Sequence, residues 1–169
     1  MVNIDQIPVD VRWRLATQAV NDLPFVYEMV YRNIVGEMYT RELDEASRRI
    51  WMEAGKEQAA VARAFALPVR NAMQVAQAFA TVCVLYMGPE MNNGEVRPGE
   101  GDSAVLTLER CPMYTRSLKW GMDPKKIITD CRAYCMAGVQ ALNPDYEVKF
   151  EKSLCAGDAG CKMRVEKKG

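Results

Sequence analysis

Cysteine is the residue type best placed to do chemistry in this chain of 169 residues, which has six cysteines and no histidine. Five of the six fall in the last third, in Cys111-Pro112, Asp130-Cys131-Arg132-Ala133-Tyr134-Cys135 and Cys155-Ala156-Gly157-Asp158-Ala159-Gly160-Cys161. Without an imidazole, a serine-histidine-aspartate triad, a cysteine-histidine pair and every histidine metal site are excluded. Cys131 and Cys135 are four apart in a segment of helical pattern, so their sulfurs share a face. Cys111 closes one strand-like run, and Cys155 and Cys161 flank the turn of a hairpin. Thiolates gathered from the ends of three elements suit a tetrahedral zinc site or an iron-sulfur cluster. Asp130 and Asp158 could replace one thiolate or orient its neighbours. The same cysteines also read as small hydrophobes filling a core, or as a redox or nucleophilic thiol. Cys83, inside a continuous apolar run, reads as core.

The elements that must position these groups follow from periodicity. Val26, Val30, Ile34 and Met38 step by four, and Leu43, Ala46, Ile50, Ala54, Val61 and Phe65 continue a helical stripe read as packing faces. Asp10, Asp22-Leu23-Pro24 and Leu67-Pro68 supply starts and stops. The pattern predicts one short helix, a long helical hairpin or kinked helix around Gly36, and a helix from about Pro68 to Cys83. Thr81-Val82-Cys83-Val84-Leu85-Tyr86 is β-branched enough to be a strand instead. Residues 88–102, rich in glycine, proline and asparagine, predict a loop or wide connection between a helical part, 1–87, and a cysteine-rich part, 103–169. Beyond it a strand over 103–110, a short helix from Tyr114 to Trp120, a helix from about Pro124 to Leu142 and a hairpin of 146–151 with 162–166 are expected. Helices followed by a small antiparallel sheet with an embedded helix make an α+β single domain.

Composition narrows the function classes. The 22 basic and 22 acidic side chains balance, so no global field recruits nucleic acid. The first residues carry no basic and apolar leader, and Ala78 to Met87 is too short to span a bilayer, so no membrane partner is expected. A reducing cytoplasm follows, where cysteine clusters are more often metal or redox groups than disulfides.

Cys111-Pro112-Met113-Tyr114, Gly121, Asp130 to Cys135, Asn143-Pro144 and Gly157-Asp158-Ala159-Gly160-Cys161-Lys162-Met163 resemble the C-terminal half of the L-2-amino-thiazoline-4-carboxylic acid hydrolase-like family. The segment is also distantly similar to vinyl-reductase-type sensor domains, which bind small aromatic or hydrocarbon effectors beside a cysteine-rich zinc site. The resemblance implies a metal held by Cys111, Cys131, Cys135 and Cys161. Cys155 lies where the sensor domains have a loop cysteine, and Glu151 is roughly placed for their glutamate ligand.

Three functions are therefore expected. The leading one is a small-molecule-binding domain whose zinc or iron-sulfur site fixes the sheet, with Trp51, Met73, Phe79, Tyr86, Met87 and Trp120 as pocket candidates. The second is metal-assisted hydrolysis of a small cyclic amidine C–N bond, with Asp130, Asp158 or Glu109 as proton acceptor. The third is an iron-sulfur accessory or electron-transfer protein. A homodimer through the N-terminal helices accompanies the leading reading. Lys125 and Lys126 read as solvated charges, and the acidic loop Glu90 to Glu100 as a surface connection rather than a lid.

Overall fold

A computed structural model describes residues 3–169. The first long element is α1, Val9–Val35, which ends where Gly36 adopts a positive φ of 67°. Pro24 lies inside α1 and does not stop it, contrary to the sequence expectation. The bond Pro24 cannot make is to the carbonyl of Val20, an exposed residue, so water can satisfy it. After a turn, α2 runs over Thr40–Lys56 and α3 over Gln58–Ala64. Helix α4, Ala72–Met87, starts at Asn71, whose side chain accepts the Gln74 amide at 2.9 Å. Thr81–Tyr86 belong to α4 because Val75, Phe79 and Val82 bury one helical face, and that packing outweighs β propensity.

Strand β1, Gly94–Pro98, lies inside the expected loop. It has one apolar core-facing residue, Val96, and so carries no alternation to read. Strand β2 covers Ser103–Leu108, α5 covers Pro112–Lys119, and α6 covers Pro124–Leu142 behind an Asp123 cap. Strands β3, Tyr146–Lys152, and β4, Cys161–Lys167, form the expected hairpin. The four strands are antiparallel in the order β1-β2-β4-β3, so the fold is α+β with its helices mostly N-terminal. Helix α4 packs on β1, β2 and β4, and α6 packs on β3. Ala104, Leu106, Val148, Met163 and Val165 point from the sheet into this core, while Lys149, Glu151, Lys162 and Arg164 pair on the other face.

The outward stripe of α1 is the main departure from the sequence reading. Val30, Ile34 and Met38, and also Ile50 and Phe65, are exposed rather than packed. The side of α1 facing the body instead carries Thr17, Asn21, Asp22, Phe25 and Glu28, which bury polar contacts with α4, α5 and α6.

Helices α2 and α6 make the most extensive helix contact, and glycines set its distance. A Cβ on Gly55 would lie 2.3 Å from the Tyr134 carbonyl oxygen, and one on Gly138 would lie 2.9 Å from the Phe79 ring. Backbone cannot retreat as a side chain can. Gly55→Ala is expected to destabilise the fold by about 1–3 kcal/mol, read as a lower urea midpoint, whereas alanine at Gly169, where a Cβ would meet nothing, should leave the midpoint unchanged.

Candidate functional site

A cavity of about 240 Å3 lies between the inner face of the sheet and helices α4 and α6, with α1 and α2 closing one end. Leu106, Leu108 and Met163 form its sheet wall, Phe79 and Val84 come from α4, and Ile127 from α6. The lining is apolar apart from a few groups, the composition of a site for an apolar ligand. An engineered cavity of about 150 Å3 takes a benzene ring, so this one has room for about ten carbons.

The cysteines do converge here. Cys83, Cys111, Cys131, Cys135 and Cys161 all border the cavity, and all six cysteines are free. Cys155 is buried in the short turn after β3 and lies outside the lining. Their surroundings favour thiols over a ligand shell. Burial pushes Cys83, Cys111 and Cys155 up to about 12, and it raises Cys161 as well. The Cys161 sulfur accepts the Leu154 amide at 3.4 Å, and the Cys83 sulfur accepts from Gln58 at 3.3 Å. Cys131 differs: the Cys135 thiol donates to it and Arg132 lies near, so its thiol is held below the ordinary range. Cys135, as the donor, is raised.

At the end formed by α1, α2 and α6 the lining becomes charged. The Lys126 ammonium contacts Glu28 at 2.9 Å and Ser47 at 2.8 Å, and also Asp130. Ser47 lies 3.0 Å from Asp130 and 3.3 Å from Glu28, so its single proton serves one carboxylate at a time. Arg32 pairs with Glu28 at 2.7 Å and with Asp44. Burial pushes the Asp130 carboxyl up, opposed by Lys126, with the Glu28 charge adding to the rise. Tyr134 stands beside this cluster, edge-on to Trp51 at 6.2 Å, its hydroxyl taking a 2.6 Å bond from the fully buried Gln58.

Of the pocket residues expected from sequence, Trp51, Phe79 and Met87 line the cavity and Met73, Tyr86 and Trp120 do not. Lys126 is buried and paired, not solvated. Part of the acidic loop, from Met91 to Val96, reaches the cavity rim. Asp158 is spent on the hairpin turn, accepting the Ser153 amide at 2.7 Å, and Glu151 is paired with Lys162 and Arg164 on the outer face. Glu28, Ser47 and Gln58 went unread. Their signal was polar residues at helical spacing beside apolar ones, which is also how an ordinary solvent-facing boundary looks.

No family model matches the chain and no curated protein matches it, so the resemblance of residues 111–163 rests on the sequence alone. Among solved structures the fold is similar to a crystal structure of trafficking protein particle complex subunit 3 from Naegleria fowleri covalently bound to palmitic acid. The TM-score is 0.54 at 12% identity, over 90% of this chain and 97% of that one. At this identity the likeness shows the fold. Among the described residues, no group of three cysteine, aspartate or glutamate side chains is arranged to hold a metal ion. The expected metal centre of Cys111, Cys131, Cys135, Cys161 and Cys155 is thereby corrected. The binding domain built on it, the metal-assisted hydrolase with Asp130 or Asp158, and the iron-sulfur protein fall with it. The Cys83 and Cys161 sulfurs accept hydrogen bonds from Gln58 and Leu154, and Asp130 is tied to Lys126.

The charged cluster makes its own forecast. Removing the ammonium with Lys126→Met leaves the buried Asp130 carboxylate without a cation, while Glu28 keeps Arg32, and is expected to cost about 3–5 kcal/mol near neutral pH. A carboxyl raised on folding holds its proton more tightly in the folded state, so its contribution to stability falls as pH rises through that window. Urea unfolding of the variant should therefore show a deficit that shrinks as the pH is lowered and Asp130 takes up its proton.

Proposed function

We propose that this chain is an assembly subunit of the kind found in vesicle-trafficking complexes, acting in the cytosol, and that it seats a fatty acyl chain in its interior. The observation that carries the reading is the apolar cavity of about 240 Å3 in a fold similar to that of a palmitate-bearing trafficking subunit. The cavity has the lining of a lipid site, and its buried thiols add soft, weakly polar surface. Among the described residues no helix is long and apolar enough to cross a membrane.

The partner in the assembly is a second copy of this chain, seated on α1. Val20, Tyr27 and Ile34 are 64%, 59% and 73% exposed, and Leu23 and Val30 stand between them at alternating spacings of three and four. That is the seam of a helix built to pack against another helix. The charges within this stretch face inward: Asp22 is held by Lys119 and Glu28 by Lys126. A seam without free charge meets its own copy without repulsion, so self-association is permitted across it.

Two measurements test this. Displacement of a fluorescent apolar probe by straight-chain alcohols should tighten about fourfold per methylene up to about ten carbons and then level off. Ala80→Phe, which puts a ring into the cavity wall, should abolish it without unfolding the chain; alcohols that bind with no dependence on chain length would overturn the cavity reading. In sedimentation equilibrium the wild-type chain should be a dimer, and Tyr27→Glu should raise its dissociation constant at least about tenfold by burying a charge in the seam. A wild-type monomer at micromolar concentration would overturn the pairing.

A further inference from the structure

Resting on the reading that the cavity seats a long apolar chain, we propose that its charged end is a subsite for an ammonium head. The free ligand it takes is then a long-chain primary amine, and a fatty acyl chain is accepted there only without its free carboxylate.

Asp130 is 7% exposed and lines the cavity, yet only one of its oxygens is used. Oδ2 is bonded by both Ser47 and the Lys126 ammonium, while Oδ1 has no hydrogen-bond partner among the described residues. A withdrawn carboxylate oxygen without a donor is costly to keep, and because Asp130 borders the cavity, a donor arriving there can reach it. The neighbouring groups do not supply that donor. Lys126 directs its three protons at Glu28, Ser47 and Asp130 Oδ2. Arg32 is shared between Glu28 and Asp44, and the one Ser47 proton serves Asp130 Oδ2 or Glu28.

Charge points the same way. Glu28, Asp130 and Lys126 are the charged groups of this end that line the cavity, so an incoming head meets two carboxylates and one ammonium. Burial and the Glu28 charge push the Asp130 carboxyl up even against Lys126, the mark of a place short of positive charge. A ligand ammonium supplies both things that are missing, a positive charge and free donors. A carboxylate head would instead bring another negative charge out of water beside the two already present. The Tyr134 hydroxyl, bonded by Gln58, keeps one proton for an acceptor, and a single neutral donor does not offset that repulsion. Beyond this end the wall of Phe79, Leu106, Ile127 and Met163 takes the hydrocarbon of the amine.

The test displaces the fluorescent apolar probe from the full chain with decylamine, decanol and decanoate, each below its micelle concentration and near neutral pH. The expected order is decylamine about tenfold tighter than decanol, and decanoate at least about tenfold weaker than decanol, the scale of one charge-assisted hydrogen bond gained or one anion repelled. Asp130→Asn should bring the ratio of decylamine to decanol close to one. Decylamine no tighter than decanol, or decanoate as tight as decylamine, overturns the ammonium subsite while leaving the cavity reading intact. That ranking is read on the wild-type protein, so it stands even if the variant fails to fold. A ratio retained in a folded Asp130→Asn variant overturns the assignment to Asp130. Failure of decanol itself to displace the probe overturns the cavity reading and this proposal with it.

Discussion

The approach of α2 to α6 at Gly55 and Gly138 is the constraint from which the interior of this molecule is built. Because neither glycine has a side chain, the two backbones come within van der Waals reach, and Tyr134 and Phe79 are forced to the cavity side of the crossing. Tyr134 then stands edge-on to Trp51 and takes its hydrogen bond from Gln58, which joins α2, α3, α4 and α6 in one contact set. A larger residue at the crossing would push α6 outward and with it Ile127, Cys131 and Cys135. The volume of the cavity is thus set from behind, by residues that do not line it.

Buried charge gathers around Arg116, which pairs with Asp22 and Glu90, and at the polar end of the cavity. Glu28, Ser47, Lys126 and Asp130 come from three helices, and each is nearly withdrawn from water. Such a cluster gains little net stability over apolar residues of the same size, since desolvation consumes most of the attraction. Its effect is on geometry: the ammonium tolerates no other arrangement of α1 against α6. It also gives an otherwise uniform cavity two unlike ends, one of hydrocarbon and one of satisfied charge.

Much of the C-terminal half was legible. Asp123-Pro124 and Asn143-Pro144 bracket α6 because a cap followed by proline in the first turn has few other uses, and the alternation of Tyr146 to Phe150 declares a strand. The gathering of cysteines was also legible, since spacing and strand ends dictate proximity. Their role was not, because it depends on which neighbour each sulfur meets, and Gln58 and Leu154 are distant or inconspicuous in sequence. The stripe on α1 was visible but assigned to the wrong side. Periodicity shows that a face is apolar and is silent on what covers it, and here the inward face is the more polar one.

The sheet ends in two unlike edges that share one property. The outer strand β1 carries Glu95 and Arg97 and finishes at Pro98, which offers no amide proton, while β3 at the other end bears Glu147, Lys149, Glu151 and Lys152. An incoming strand would have to bury these charges against its own backbone and would find a donor missing. Strand addition is thereby discouraged at both ends. In colloidal terms the sheet is not a template for open-ended growth, and the chain can present a long apolar helix to its surroundings without also exposing a seed for fibrils.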